Sequence, residues 1–202
     1  MKKKVLVVDL DGTLFKINTF HYFLMFLLKY CIKDLNLFLL LKIIFIIIAR
    51  VFKVVSHSKM KYNILKTIKN EERIDYSEYI TSISQKKRDL SLISDGNFNL
   101  KILATAAPSC YANIISENEC FDLCIATEFP NSKFNNEFDN IGEIKKNNTA
   151  KFLKNNKIDT LITDHIDDLP LMKLSRKNFI VNPNQKMKEI LKEHNINYEV
   201  IF

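Results

Sequence analysis

Glycine is scarce in this chain of 202 residues, which holds only three. Glycine adopts backbone conformations that other residues avoid, so each one should mark a point where the backbone needs unusual freedom. Gly12 follows a pair of acids, Gly96 lies in the turn-like stretch 94–97 (SDGN), and Gly142 lies in a polar, Asn-rich segment. These three points divide the chain into segments with different patterns.

Cysteine is also infrequent, and no secretory signal is evident. The chain has four cysteines: Cys31, Cys110, Cys120 and Cys124. Their spacing fits no zinc-binding pattern, and the four histidines share no metal-ligand spacing. The start MKKKVLVV places lysines before apolar residues, but the apolar part is short and runs into Asp9 and Asp11. We therefore expect a cytoplasmic protein whose thiols are reduced and mostly buried.

Acidic residues are outnumbered by basic ones, which gives a formal net charge of +7 and an isoelectric point of about 9.1. This balance favours anionic partners, whether phosphates, anionic lipid surfaces or nucleic acid. The alternative is a compositional bias in which lysines only solvate the surface. We find no helix-turn-helix or RNA-binding signature, so nucleic acid is not an expected partner. The apolar fraction of 47% is enough for a real core in one domain with a sizeable insertion.

The periodicity of apolar residues predicts an α/β fold. Short β-branched and leucine-rich runs, typical of buried strands, occur at 5–8, 102–104, 123–126, 160–163 and 179–181. Helical patterns cover 109–119, 147–156, 168–175 and 183–194, and 197–202 is a candidate last strand. Strands that alternate with helices predict a parallel sheet covered on both faces, in a Rossmann-like arrangement.

Residues 16–95 break this alternation and are predicted to form an all-helical insertion within an α/β core made of 1–15 and 96–202. Segment 37–55 is ambiguous, because its apolar run (LFLLLKIIFIIIA) is interrupted by Lys42 and followed by Arg50 and Lys53. Three interpretations remain open: a buried helix, a helix on or shallowly inserted into a membrane surface, and a membrane span. The stretch IIFIII is apolar on every side, which keeps the membrane interpretations open.

Two acids end the first predicted strand, in the stretch 7–13 (VVDLDGT). Ligands of parallel sheets bind beyond the carboxyl ends of the strands. A simple turn would explain Asp11 and Gly12 but not Asp9, which directly ends the apolar run. Two neighbouring carboxylates repel unless a cation joins them, and Mg²⁺ accepts carboxylate and carbonyl oxygens. Another predicted strand runs into Asp164 and Asp168, which would reach the same edge of the sheet.

These residues give the sequence a resemblance to the haloacid dehalogenase (HAD) superfamily of phosphohydrolases. The stretch 9–13 (DLDGT) matches its first motif, 101–108 (KILATAAP) is similar to its second, and 164–172 (DHIDDLPLM) is similar to its fourth. The tail 181–184 (VNPN) resembles the branch related to phosphoserine phosphatase. A glycine usual before the fourth-motif acid is Thr163 here. The insertion 16–95 falls where that family has a helical cap.

The resemblance implies a role for each matching residue. Asp9 would be the nucleophile that forms an aspartyl-phosphate, and Asp11 the general acid and base. Mg²⁺ would be held by the Asp9 and Asp164 side chains and the backbone carbonyl of Asp11. Asp168 would hold either the water molecules bound to the metal or Lys145.

The resemblance also implies a set of groups that bind phosphoryl oxygens: Thr105, a lysine, and backbone N–H groups around Leu10, Gly12 and Ala106. The third-motif lysine is expected at Lys145, with Lys146 as the alternative. Ser109 is expected to cap the helix that follows it, and Asp167 to be solvated.

The sequence therefore predicts a Mg²⁺-dependent phosphomonoester hydrolase whose substrate is a lipid or lipid-linked phosphate. The alternatives are a soluble phosphate such as phosphoserine or a sugar phosphate, transfer to an acceptor other than water, and a non-catalytic binding module. Little in the insertion resembles the residues that recognise phosphoserine. A lipid substrate would imply a protein that is peripheral on, or shallowly inserted into, the inner membrane.

Overall fold

Six parallel strands form one sheet in the computed structural model, which describes residues 4–153 and 157–202. The strands are β1 (Val5–Val8), β2 (Leu100–Pro108), β3 (Leu123–Thr127), β4 (Ile158–Thr163), β5 (Ser175–Val181) and β6 (Glu199–Ile201). Their spatial order is β3-β2-β1-β4-β5-β6. This is the order of a doubly wound Rossmann-like sheet, in which the strand order reverses between β1 and β4. The predicted α/β class with a parallel sheet is confirmed.

Helices occupy the connections. Between β1 and β2 lie α1 (Thr19–Lys33), α2 (Leu37–Val51), α3 (His57–Ile68), α4 (Tyr76–Ile83) and the short α5 (Ser91–Ser94). The later connections contain α6 (Ser109–Asn118), α7 (Gly142–Leu153), α8 (Leu169–Met172) and α9 (Gln185–Glu193). The first four helices each begin after a residue whose side chain accepts a hydrogen bond from a backbone N–H of the first turn: Asn18, Asn36, Ser56 and Asp75. Such caps fix where a helix starts.

Strand β1 lies at the centre of the sheet, and all four of its residues are buried. Val8 pairs with Leu103 of β2 and with Ile162 of β4, so the carboxyl ends of these three strands lie at one edge. The residues of β1 alternate between two hydrophobic clusters, with Leu6 and Val8 in one and Val5 and Val7 in the other. A strand buried on both faces needs an apolar residue at every position, which is why the run is continuous.

An aromatic cluster joins the helices of residues 16–95 to the rest of the chain. The ring of Phe23 in α1 lies 5.2 Å from Tyr79 in α4 and 5.1 Å from Tyr111 in α6, measured between centroids. The Tyr79 hydroxyl donates a hydrogen bond to the Thr19 carbonyl oxygen (2.6 Å), and the hydroxyls of Thr19 and Tyr111 are 3.0 Å apart. The insertion therefore packs on α6 through large buried rings whose polar atoms are satisfied.

Two predicted helices have different bounds in the structure. The helix predicted at 147–156 begins at Gly142, and 154–156 lie outside the described residues, as do 1–3. Its buried positions are Lys145, Thr149 and Leu153, spaced four residues apart, and because two of them are polar the apolar periodicity is hidden. The helix predicted at 168–175 ends at Met172, because β5 begins at Ser175.

The expectation for Ser109 is wrong. Helix α6 begins at Ser109 itself and has no side-chain cap, since Pro108 precedes it. The Ser109 hydroxyl instead donates to a carboxylate oxygen of Glu128, at 2.8 Å.

Segment 37–55 holds α2, a helix of 15 residues. Within the two described ranges, every helix is too short or too polar to cross a lipid bilayer.

Replacing the central ring of the aromatic cluster should destabilise the fold. Phe23 is fully buried, and a Phe23→Ala variant should lower the free energy of unfolding by about 3–5 kcal/mol, because it leaves a cavity between α1, α4 and α6. Urea unfolding followed by circular dichroism measures the change. The control is Phe202→Ala at an 89% exposed position, with an expected change within about 0.5 kcal/mol. Equal losses of stability in the two variants would contradict the placement of Phe23 at the centre of the buried aromatic cluster.

Candidate active site

One cavity of about 480 Å³ opens at the carboxyl ends of β1, β2 and β4. Eight of the residues that the sequence predicted for the site line it: Asp9, Asp11, Gly12, Thr105, Ala106, Lys145, Asp164 and Asp168. Leu10, whose backbone N–H was also expected there, is not among the lining residues. Asp9 follows β1 and Asp164 follows β4, so these two acids flank the position where the strand order reverses. The structure therefore brings together segments separated by more than a hundred residues.

Lys145 is the central cation of the site. Its Nζ lies 2.7 Å from Oδ1 of Asp9 and 2.8 Å from the Asp168 carboxylate, and all three side chains are buried. Lys146 points away and pairs with Glu143 at the surface. Of the two lysines that the sequence left open, Lys145 is the one that reaches the cavity.

Asp168 is also held by Thr163, whose hydroxyl donates to Oδ2 at 2.6 Å. The resemblance described above would lead one to expect glycine at this position, and the threonine found here supplies a hydrogen-bond donor. Of the two partners expected for Asp168, the structure shows the lysine. Asp167 lies at the surface and pairs with His165.

Burial and neighbouring charges shift the pKa values of the Asp9 and Lys145 side chains. Burial raises the pKa of Asp9 to about 8; Lys145 opposes the shift, while the Asp168 and Asp164 carboxylates add to it. Burial alone would lower the pKa of Lys145, but the two carboxylates that it contacts raise it by more. Lys145 therefore stays protonated, but this one cation does not keep every carboxyl group of the cluster ionised at neutral pH.

The side chain of Asp164 lies so close to the backbone of residue 12 that glycine is favoured there. Its φ is +71°, a conformation that favours glycine, and a Cβ built there would collide with the Asp164 carboxylate. The Thr13 hydroxyl donates to Oδ1 of Asp164 at 3.3 Å. Burial raises the pKa of Asp164, with His165 and the Thr13 hydrogen bond acting against the shift.

Asp11 is tied to the start of the helical insertion. Its Oδ1 accepts a 2.6 Å hydrogen bond from the backbone N–H of Thr19, the first residue of α1. Burial raises the pKa of Asp11, although hydrogen bonds from Thr19 and the charge of Lys61 lower it. A carboxyl group with a raised pKa beside a cavity is suited to carry a proton.

Thr105 and Ala106 form the wall of the cavity contributed by β2. The Thr105 Oγ1 accepts from the backbone N–H of Ala107 at 3.0 Å. The Ala106 carbonyl oxygen accepts from Nζ of Lys61 (2.7 Å) and from the Thr127 hydroxyl (2.8 Å). These bonds fix the Ala106 peptide at a point where the pairing of β2 with β3 shifts register.

Sequence analysis missed a second buried ion pair at the cavity. Lys61 of α3 contacts Oδ1 of Asp139 at 2.6 Å, and each side chain is less than 5% exposed. Lys61 comes from the insertion and Asp139 from the loop before α7, so the pair joins the two parts of the chain. The signal that could have revealed Lys61 is its helical spacing to Ile64, Leu65 and Ile68, all buried on one face.

Asn140 was missed as well. Its side-chain amide donates to the carbonyl oxygens of Thr105 (2.9 Å) and Ile125 (3.0 Å), which bridges the ends of β2 and β3. No local sequence pattern marks it, because its partners lie on two distant strands.

The side chains present fit a magnesium ion. Among residues 4–153 and 157–202, no three acidic, histidine or cysteine side chains converge as a metal cage. The expected magnesium site does not need three such side chains, because its donors are the Asp9 and Asp164 carboxylates and the backbone carbonyl oxygen of Asp11. Water molecules would complete the coordination, since Mg²⁺ usually keeps several of them. Both carboxyl groups have a raised pKa at this buried position. A divalent cation would compensate their charge.

Comparisons with known proteins identify the fold. No family model matches the sequence, and neither does any curated protein. Among solved structures, a protein of unknown function from Bordetella pertussis Tohama I is 15% identical, with a TM-score of 0.75 over 100% of this chain and 99% of that one. A phospho-aspartyl intermediate analogue of phosphoserine phosphatase is 12% identical, with a TM-score of 0.59 over 94% of this chain and 91% of that one.

A HAD-family hydrolase from Salmonella enterica serovar Typhi is 9% identical, with a TM-score of 0.57, and the match covers 92% of this chain and 65% of that chain. The chain therefore has the fold of HAD-family hydrolases, phosphoserine phosphatases among them, at low sequence identity.

Replacing Lys145 should cost far more stability than replacing its neighbour. Lys145→Met leaves the buried Asp9 and Asp168 carboxylates without their cation and should lower the free energy of unfolding by about 3–5 kcal/mol at neutral pH. Lys146→Met removes only a surface pair and should change it by less than about 1 kcal/mol. Urea unfolding of the metal-free protein measures both values. A loss for Lys146→Met as large as for Lys145→Met would contradict the arrangement of charges described here.

Proposed function

We propose that this protein is a phosphatase that hydrolyses phosphate monoesters through a covalent intermediate on Asp9. The observation that carries the proposal is the cluster at the carboxyl ends of β1 and β4, in which Lys145 bridges Asp9 and Asp168 beside a cavity. The fold shared with phosphoserine phosphatases supports the same chemistry. A fold by itself hosts many functions, so the argument depends on these side chains.

Asp9 is the proposed nucleophile. A carboxylate oxygen of Asp9 attacks phosphorus, the new oxygen–phosphorus bond forms, and the bond to the leaving oxygen breaks. Lys145 holds Oδ1 of Asp9 at 2.7 Å, which orients the carboxylate and opposes its protonation. Asp168 and Thr163 in turn hold Lys145 in place. Among the solved structures similar to this chain is a phospho-aspartyl analogue of phosphoserine phosphatase.

Asp11 is the proposed proton carrier. It protonates the leaving oxygen as the bond to phosphorus breaks, then takes a proton from the water that attacks the phosphorylated Asp9. The second step releases inorganic phosphate and restores the Asp9 carboxylate. The raised pKa of Asp11 supports the first role, and the hydrogen bond from Thr19 fixes its position relative to the cavity.

Phosphoryl oxygens are proposed to bind Thr105, Lys145 and the backbone N–H group of Ala106. The backbone N–H of Gly12, also expected there, donates to the Ile17 carbonyl oxygen at 3.2 Å, so it would bind phosphate only after that hydrogen bond is released. Donors that are fixed before the reaction stabilise charge on these oxygens most effectively. The two bonds to the Ala106 carbonyl oxygen supply such rigidity. A bound Mg²⁺, held by Asp9, Asp164 and the Asp11 carbonyl, would neutralise part of the charge on the phosphoryl group.

The substrate is proposed to enter between an α/β core (1–15 and 96–202) and a helical cap (16–95). The insertion contributes Asn18, Phe20, His57 and Lys61 to the lining of the cavity. We favour a lipid or lipid-linked phosphate as substrate, because much of α2 is apolar and exposed. A soluble phosphate such as phosphoserine or a sugar phosphate is the alternative, favoured by the polar groups of the lining. The lipid substrate would place the protein at the periphery of a membrane.

The proposal is tested by phosphate release from a soluble aryl phosphate. The wild-type protein should release phosphate with Mg²⁺ and stop when the metal is chelated. Asp9→Asn should lower kcat by at least about 10³-fold, since it removes the nucleophile. The control is Asp95→Asn, in an exposed turn, which should leave kcat unchanged. Near wild-type turnover by a folded Asp9→Asn variant would overturn the proposal.

A further inference from the structure

The outer side of α2 is a continuous apolar surface. Together with the residue that directly follows the helix, it presents five side chains, which we name the docking face: Phe38, Leu41, Phe45, Ile48 and Phe52. At about 100° per residue these positions lie within an arc of about 80°. Phe38, Phe45 and Phe52 are 70%, 73% and 75% exposed, whereas Leu39 and Ile43 on the opposite side are buried. A surface of this size is unusual for a helix that faces only water.

Exposed apolar residues continue at both ends of the helix. Leu35 is 81% exposed and has a φ of +53°, a conformation that branched and bulky side chains avoid. Beyond the other end, Lys53 also has a positive φ and Val54 is exposed. Helix α2 alone, with 15 residues, is about 22 Å long, and these two turns extend the apolar surface beyond its ends.

The charges around this surface have one sign. From Leu35 to Asn70 the chain carries no aspartate or glutamate. The same stretch holds seven basic residues, of which Lys61 is buried against Asp139; the other six are Lys42, Arg50, Lys53, Lys59, Lys66 and Lys69. The acids nearest its ends, Asp34 and Glu71, both pair with Arg73. Lys42 lies over the ring of Phe38 at 4.0 Å, so a cation borders the apolar stripe directly.

We infer that the docking face binds the surface of a bilayer that contains anionic lipids. A helix with an apolar side bordered by cations lies in the interface, with the apolar side among the acyl chains and the lysines at the headgroups. A second copy of this chain fits less well, because symmetric pairing of two such helices would bring their lysines together. Docking does not depend on the catalytic assignment.

Docking has a consequence for the substrate, and this step rests on the proposed function. His57, the first residue of α3, lines the cavity, and α2 ends only six residues before it, at Val51. A short connection therefore joins the carboxyl end of α2 to the edge of the cavity. A phosphate monoester in a lipid headgroup would be within the reach of the site while the docking face is in contact with the bilayer.

The test is sedimentation of the full chain with vesicles of phosphatidylcholine, with or without phosphatidylglycerol. The wild-type protein should pellet with the anionic vesicles and be released by salt, which screens the lysines. The double variant Phe38→Gln, Phe45→Gln should lower the partition coefficient by about tenfold or more for each side chain. The matched control is Phe202→Gln, an exposed phenylalanine outside the docking face, which should bind as the wild type does.

The charge contribution has its own matched pair. Lys42→Gln, Lys53→Gln should weaken binding to anionic vesicles by roughly 25-fold, since each lysine near an anionic surface contributes about fivefold. Lys186→Gln, Lys188→Gln on the exposed side of α9 should have little effect. Circular dichroism and turnover of a soluble aryl phosphate, measured on the same samples, should be unchanged in all the variants.

Three results would overturn docking: no pelleting of the wild-type protein with anionic vesicles, unchanged binding by the double phenylalanine variant, or a lipid-free dimer that this variant disrupts. Failure of the proposed function is a separate result. A wild-type protein that pellets with anionic vesicles but releases no phosphate from any ester would retain the docking face and lose the phosphatase assignment.

Discussion

The ionic contact of Lys145 with Asp9 and Asp168 is the interaction on which the site depends. A parallel sheet collects the ends of β1 and β4 at one edge, and here each end carries acids. Without a buried cation those carboxylates would repel one another or take up protons. Helix α7 supplies that cation from its first turn. One lysine does not keep every acid of the cluster ionised, and a bound divalent cation would favour the charged carboxylates.

The helical insertion contacts this centre at two points that have different consequences. Asp11 is held by the first N–H of α1, so a movement of α1 would move the proposed proton carrier. Lys61 bonds Asp139 and the Ala106 carbonyl oxygen, so a movement of α3 would loosen the wall that is proposed to bind phosphate. In the proposed mechanism, substrate entry, proton transfer and phosphate binding would thus be linked through the positions of α1 and α3.

Much of the fold and part of the site could be predicted from the sequence, because the information there is local. A continuous apolar run followed at once by Asp9 and Asp11 indicates both a buried strand and its functional end. The buried pair of Lys61 and Asp139 was missed: the helical spacing places Lys61 on the buried face of α3, but no local pattern marks its partner Asp139. The start of α7 at Gly142 was missed for a related reason: two of the three positions on its buried side are polar.

The central claim is that Asp9 receives the phosphoryl group. Its most direct test is to mix the protein with Mg²⁺ and a phosphate monoester, quench in acid within one turnover, and locate the added phosphate by peptide mass spectrometry. The account predicts phosphate on the peptide that contains Asp9, at its carboxylate, and none in Asp9→Asn. Phosphate on a different residue, or turnover with no phosphorylated peptide at any quench time, would contradict it.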